Sequence, residues 1–169
     1  MSGHGRRWGV GGIAVVLFLS ALSGCSRGDT SRPGLSRAEI ELAPEGAAEV
    51  PALVQEARER ARREGRELVV YVGASWCEPC TRFHDAVKAG QLDATFPALR
   101  LLEFDLDRDR DRLAAAGYAS AMIPLFVVPG EDGRGTPLRI EGSVKGARAV
   151  DEIVPRLEGI LAQARAAAR

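Results

Sequence analysis

Hydrophobic residues from about residue 47 onward occur both in continuous runs and at helical spacing. The stretch 67–72, E-L-V-V-Y-V, is typical of a strand buried on both faces of a sheet. Apolar residues spaced three and four apart indicate helices between such runs. The predicted strands are 67–72, 99–106, 124–128 and 137–141, and the predicted helices are 47–63, 79–88, the D-R-D-R-D-R run after 106, and 147–164. This order, in which helices separate most of the strands, predicts an α/β domain.

The first twenty-five residues follow a different pattern. Two arginines precede an uncharged apolar run at 10–22, which is shorter than the ~20 residues that a membrane-spanning helix needs. The run ends in L-S-G-C at 22–25, which resembles the lipobox of bacterial lipoproteins. That resemblance implies a signal peptide at 1–24 and lipid on Cys25. The alternatives are an uncleaved short anchor or an ordinary signal with a chance cysteine.

The rest of the chain is predicted to form a tether and one domain. Residues 25–46 contain turn formers and scattered charges without a sustained apolar period, so we expect a lipidated N-terminus and flexible tether there. With 169 residues, 46% of them hydrophobic, the chain has room for one domain, at 47–169. The formal net charge is zero, which gives no electrostatic reason to expect nucleic acid. We expect a monomer.

The motif W-C-E-P-C at 76–80 lies where a predicted strand turns into a predicted helix. Its two cysteines could be a redox centre, a structural disulfide or part of a metal site. A disulfide across so short a loop removes little chain entropy, which disfavours a purely structural role. His84 would extend the motif to C-x-x-C-x-x-x-H, but the sequence after the signal offers no second ligand pair. We therefore predict no metal.

With these elements in place, residues 47–165 resemble the thioredoxin superfamily. The resemblance rests on W-C-E-P-C after the first strand, M-I-P-L at 122–125 and E-G-S at 141–143. It implies a thioredoxin-like three-layer α/β/α sandwich around a central mixed sheet of about four strands. It also implies that Cys77 is the attacking thiol, that Cys80 resolves the mixed disulfide, and that this redox-active pair needs no cofactor.

The resemblance extends to supporting residues around the pair. It implies a cis peptide bond between Ile123 and Pro124, with Trp76 and this edge holding a substrate strand. Pro79 removes a backbone donor in the first helical turn, where none is needed. Glu78 is expected to raise the pKa of the Cys77 thiol, because a nearby negative charge disfavours the thiolate.

Two positions depart from thioredoxins that act as reductases. The position of their buried acid, six residues before the first cysteine, is Tyr71 here. The position of the lysine that partners this acid is Glu103. Glu103 either takes over as proton carrier or points to solvent.

These features together predict a thiol-disulfide oxidoreductase of the cell envelope in a Gram-negative-type bacterium. It would be lipid-anchored with its domain in the periplasm, and Ser26 after the cysteine favours the outer membrane. The expected partners are exported proteins with cysteines or disulfides, and a membrane thiol relay if the protein acts as a reductase. The direction of electron flow stays open. The alternatives are a non-catalytic binding module with a locked disulfide, or a helper in metal delivery or cytochrome maturation.

Overall fold

The computed structural model describes residues 37–46 and 48–169. The predicted signal peptide at 1–24 and the predicted lipidation of Cys25 lie outside the described residues. Within the described part, no helix is both long enough and apolar enough to cross a membrane.

A mixed five-stranded sheet forms the centre of the domain. Its strands are β1 (Glu39–Leu42), β2 (Glu67–Gly73), β3 (Leu99–Asp105), β4 (Leu125–Pro129) and β5 (Gly135–Glu141). They lie in the order β1-β3-β2-β4-β5, in which β1, β3 and β2 are parallel. Strand β4 runs antiparallel to both β2 and β5. Strand β2 therefore lies in the middle of the sheet.

Within residues 37–46 and 48–169, four helices cover the two faces of this sheet. They are α1 (Val50–Glu64), α2 (Glu78–Lys88), α3 (Leu106–Ala115) and α4 (Ala149–Ala167). One buried cluster joins α2 and α4 to side chains of β2 that include Val69 and Tyr71. A second cluster joins α1 and α3 to the alternate residues Val70 and Val72. The predicted thioredoxin-like α/β/α sandwich, with its first predicted strand buried on both faces, is confirmed.

Strand β1 corrects one part of the sequence prediction. Residues 39–42 were expected to belong to the flexible tether, but they pair in parallel with β3, and the sheet has five strands rather than about four. The sequence signal is weak because the strand has four residues and only two of them, Ile40 and Leu42, are apolar. Pairing with an already formed strand supplies the backbone hydrogen bonds that this short segment lacks alone.

The observed ends of the helices agree only in part with the predicted ones. Helix α1 begins at Val50 rather than at residue 47, with a proline in its first turn. It ends at Glu64 and is followed by Gly65, whose φ of 74° suits glycine. Pro155 lies inside α4. The charged run after β3 forms the start of α3, as predicted, with Asp105 as its N-cap.

Candidate active site

Cys77 and Cys80 lie at the junction between β2 and α2. Cys77 is the N-cap residue of α2, and its Sγ accepts a hydrogen bond from the Cys80 backbone N–H at 3.3 Å. The two residues form a disulfide with a Cα–Cα distance of 5.2 Å. Both residues are buried, with exposed fractions of 4% for Cys77 and 3% for Cys80.

The turn into the helix also requires Gly73 at the end of β2. A Cβ atom on Gly73 would lie 2.9 Å from the Tyr71 hydroxyl oxygen and 3.6 Å from the Cys80 Cβ. The first of these distances is too short for a real contact, so a side chain at position 73 would force the buried tyrosine to shift. Gly73 is a supporting residue that the sequence reasoning missed.

Pro79 and Glu78 occupy the first turn of α2. Pro79 is buried in that turn, where no backbone donor is needed. The Glu78 carboxylate pairs with Arg82 and accepts a hydrogen bond from the Gly146 N–H at 3.0 Å. The Arg82 side chain, followed by this N–H, lowers the pKa of Glu78 below its ordinary value. Glu78 thus ties α2 to the loop before α4, and its predicted effect on Cys77 stays a prediction.

The Ile123–Pro124 peptide bond is cis, as the resemblance implied. Ile123 packs against the buried cluster that contains both cysteines, and the Pro124 carbonyl accepts a hydrogen bond from the Gly142 N–H at 2.8 Å. Leu125, directly after the proline, pairs with Val72 of β2. The structure therefore brings residues 123 and 124 to the end of the sheet at which the cysteines lie.

Three loops at this end of the sheet each carry a large exposed apolar side chain. Trp76, Met122 and Val144 are 64%, 60% and 42% exposed, and they lie on the loops after β2, before β4 and after β5. The Trp76 indole Nε1 donates a hydrogen bond to Asp107 at 2.7 Å. Sequence reasoning identified Trp76 but missed Met122 and Val144. The M-I-P-L and E-G-S motifs beside them were the available signals.

Tyr71 lies behind the disulfide and is fully buried. Its ring stacks on Phe126 with 4.9 Å between centroids, and its hydroxyl lies 3.4 Å from the Cys80 carbonyl oxygen. Burial, together with the negative charge of Glu103, raises the pKa of the Tyr71 phenol far above its ordinary value. The residue in place of the buried acid therefore keeps its proton at neutral pH.

Glu103 lies next to Tyr71 on the neighbouring strand and pairs with His84. The two residues Tyr71 and Glu103 are register partners in β2 and β3. The Glu103 carboxylate is 17% exposed and lies 2.8 Å from Nε2 of His84 on α2. It therefore does not simply point to solvent, and its role as proton carrier stays a prediction. The partnership of His84 was missed, although its spacing of four residues from Cys80 was a signal.

The side chains around the two cysteines do not form a metal site. Across the residues that the structure describes, no group of three or more His, Cys, Asp or Glu side chains could hold a metal ion. His84 has a carboxylate rather than a second cysteine or histidine as its neighbour. The arrangement provides a dithiol or disulfide, a helix N-terminus and a nearby imidazole-carboxylate pair.

Comparison with known proteins gives similarity at the level of solved structures. No protein-family model and no curated protein matches the sequence. A disulphide isomerase from Xylella fastidiosa Temecula1 has 21% identity and a TM-score of 0.46 over 72% of this chain and 98% of its own. Thioredoxin O1 from Arabidopsis thaliana, in the oxidised state, has 16% identity and a TM-score of 0.44 over 73% of this chain and 96% of its own.

A third chain comes from a structural study of thiol resolution in a yeast mitochondrial 1-Cys peroxiredoxin via glutathione/thioredoxin systems. It has 20% identity and a TM-score of 0.43 over 69% of this chain and 94% of its own. At these identities the likeness concerns the course of the backbone.

Proposed function

We propose that the protein is a thiol-disulfide oxidoreductase of the cell envelope that exchanges disulfides with exported proteins through Cys77 and Cys80. The observation that carries this proposal is the Cys77–Cys80 disulfide at the N-terminus of α2. The cis Ile123–Pro124 bond and three exposed apolar side chains lie at the same end of the sheet. A buried staple would not need such a surface around it.

Cys77 is the attacking residue in this proposal. Its sulfur lies at the positive end of α2 and accepts a hydrogen bond from the Cys80 backbone N–H in the disulfide form. Both features would stabilise a thiolate after reduction. The thiolate attacks one sulfur of a substrate disulfide, forms a mixed disulfide with it, and breaks the substrate S–S bond, so that the other substrate sulfur leaves as a thiolate. Cys80, one helical turn away, then attacks Cys77 and releases the reduced substrate.

The apolar side chains around the pair provide the substrate contact. Trp76, Met122 and Val144 offer large exposed apolar surfaces on three loops, which suits an unfolded or extended segment with its own apolar residues. An extended substrate segment can also pair with the backbone beside Pro124, a recognition mode in which main-chain hydrogen bonds supply affinity. Such a surface favours many protein substrates over one small thiol.

The cellular setting is inferred from the N-terminal pattern. The charged start, short apolar run and L-S-G-C sequence support a signal peptide at 1–24 and a lipid on Cys25. The protein would then face the periplasm from the membrane, with the outer membrane favoured by Ser26. Acting as a reductase there requires electrons from a membrane thiol relay. The Cys77–Cys80 disulfide is the redox group, and we propose no further cofactor.

Substitution of the resolving cysteine tests this function. The Cys80→Ser protein keeps the attacking thiol but cannot release a substrate, so we expect it to accumulate mixed disulfides with envelope proteins. These would be separated on non-reducing gels and identified by mass spectrometry. The Cys77→Ser/Cys80→Ser protein is the matched control and should trap none.

Other outcomes of the same experiment would contradict the proposal. If Cys80→Ser traps no partner under mildly reducing conditions, the exchange mechanism is wrong. If envelope proteins instead co-purify non-covalently, and equally with wild type and the double variant, the domain is a binding module whose cysteines are not required.

A further inference from the structure

His84 and Glu103 form a hydrogen-bonded pair beside the resolving cysteine. His84 Nε2 lies 2.8 Å from Glu103 Oε2, and the two side chains are 23% and 17% exposed. His84 follows Cys80 by four residues on α2, which places both residues on one face of the helix. Helical side chains lean toward the helix N-terminus, so the imidazole covers the turn that contains Cys80.

These residues share a cavity. Cys80, His84, Glu103 and Tyr71 all line one space of about 400 Å³, which has room for water molecules between them. The other charged residues that line it are Asp85 and Lys88 of α2 and Asp105 of β3, and the adjoining cavity beside β1 adds Arg37 and Glu39. In the described part of the chain, His84 forms its hydrogen bond with Glu103 and with no other of these charged groups.

The pairing with a carboxylate fixes the chemistry of the ring. A carboxylate accepts hydrogen bonds and cannot donate them, so Nε2 of a neutral His84 carries the proton. Nδ1 then has a free lone pair and no hydrogen-bond partner among the described residues. This is the arrangement of a general base whose orienting residue is the carboxylate. Tyr71 cannot take this role, because it keeps its proton.

We propose that His84, oriented by Glu103, accepts the proton of Cys80 during the resolving step. This deepens the proposed function and rests on it. Both residues line one space with room for water, so the proton can pass from the Cys80 thiol to His84 through a water molecule. The pair would replace the buried acid whose position is occupied by Tyr71. Glu103 is then a positioning residue, and His84 is the proton acceptor.

The resolving step balances as follows in this proposal. Cys77 and one substrate sulfur form the mixed disulfide, while Cys80 is a neutral thiol. His84 takes the thiol proton, and the Cys80 thiolate attacks the Cys77 sulfur. The Cys77–Cys80 disulfide forms, the bond between Cys77 and the substrate breaks, and the substrate leaves as a thiolate. The imidazolium then returns its proton to that thiolate or to solvent. Two electrons pass from the dithiol to the substrate.

The test separates the two chemical steps. The reduced full-length protein is mixed with oxidised glutathione, quenched with acid at set times and alkylated. The mass of the proteolytic peptide that contains Cys77 and Cys80 then distinguishes the mixed disulfide from the oxidised pair. For His84→Gln, we expect the decay of the mixed disulfide to slow by roughly 100-fold at pH 7. Its formation, which depends on Cys77, should be unchanged. The pH profiles of the decay rate should differ between wild type and His84→Gln, because only wild type has the imidazole as a proton acceptor.

Two further variants keep the proposal open to refutation. Glu103→Gln leaves the ring in place but removes the charge that stabilises an imidazolium, so we expect a decay rate between those of wild type and His84→Gln. Lys88→Gln, the matched control, removes a charge from the same cavity and should retain the wild-type pH profile. Thermal unfolding checks that each variant is folded. If His84→Gln does not fold, the comparison of Glu103→Gln with wild type tests the proposal.

The outcomes distinguish this inference from the proposed function. If glutathione neither forms a mixed disulfide with wild type nor oxidises its cysteine pair, and Cys80→Ser traps no envelope protein, the proposed function fails. If wild type reacts but His84→Gln and Glu103→Gln show its decay rate and pH profile, the assignment of His84 is overturned. Equal slowing of formation and decay would also overturn it, because a structural role would affect both steps.

Discussion

At the scale of single residues, Tyr71 and Tyr118 are equally buried but differ in the bonding of their hydroxyl groups. The Tyr118 hydroxyl donates to the Gly133 carbonyl at 2.8 Å, whereas the Tyr71 hydroxyl lies 3.4 Å from the Cys80 carbonyl. We expect Tyr118→Phe to lower the free energy of unfolding by about 1–2 kcal/mol, and Tyr71→Phe by less than about 0.5 kcal/mol. Urea denaturation of both variants at pH 7 measures the difference. A cost at Tyr71 equal to that at Tyr118 would mean that its hydroxyl holds the helix start in place.

Residue patterns predicted the groups that are close in sequence, but not those brought together by the sheet. Cys77, Cys80 and Pro79 share one motif, and the cis bond before Pro124 follows from the resemblance. The pairing of His84 with Glu103 depends on the packing of α2 over β3 and on the register of β3 with β2. Neither packing nor register is encoded in a local motif, so this part of the site required the structure.

At the scale of secondary-structure elements, the buried Asp109 is expected to stabilise the start of α3. Its side chain is 2% exposed, and it pairs with Arg108 and Arg112, both at 2.8 Å. It also accepts a hydrogen bond from the Asp105 N–H at 3.2 Å. We expect Asp109→Asn to lower the free energy of unfolding by about 2–3 kcal/mol at pH 7, because the two guanidinium groups lose their carboxylate. Urea denaturation measures this loss.

The pH dependence of this effect has a definite sign. Burial alone would raise the pKa of Asp109, but its hydrogen bonds and charge interactions with Arg108 and Arg112 outweigh burial and lower it. The stabilisation is therefore present above the ordinary carboxyl pKa, near 3.9, and is lost as the pH falls through the folded value. The difference between wild type and Asp109→Asn should shrink below about pH 4. Asp111→Asn, an exposed neighbour, should change stability by less than about 0.5 kcal/mol, and a constant difference at all pH values would contradict this account.

Long hydrophobic patterns predicted their elements, and short ones did not. The run E-L-V-V-Y-V in β2 is long enough to be recognised as a buried strand. The apolar residues of α2 and α4 repeat at helical spacing over enough turns to be recognised as helices. Strand β1 has four residues with charges at alternate positions. Its Glu41 pairs with Arg60 of α1, and its Glu39 pairs with Arg100 of β3 and with Arg66, which follows α1. The element is held by partners distant in sequence, which a local pattern cannot show.

At the scale of the whole molecule, the reduction potential decides which way electrons flow. Strong disulfide oxidants have a reduced form that is stabilised by a thiolate of very low pKa, usually beside a positive group. Among the described residues, the Cys77 sulfur is contacted by the Cys80 N–H and by no cationic side chain, and the nearby Arg82 is engaged by Glu78. The Cys77 thiolate is thus stabilised mainly by the helix N-terminus.

We therefore expect a potential closer to that of thioredoxin, about −270 mV, than to that of a strong oxidant, about −120 mV. Equilibration of the purified protein with dithiothreitol and glutathione buffers, followed by alkylation and mass analysis, measures it. Glu78→Gln releases Arg82 from its ion pair and removes a negative charge near the Cys77 sulfur. This change should stabilise the Cys77 thiolate and make the disulfide more oxidising. Glu56→Gln on α1, which also removes the partner of an arginine, is the distant control. A wild-type potential near −120 mV would assign the protein to disulfide formation. A disulfide that equilibrates with neither buffer would make it a structural lock.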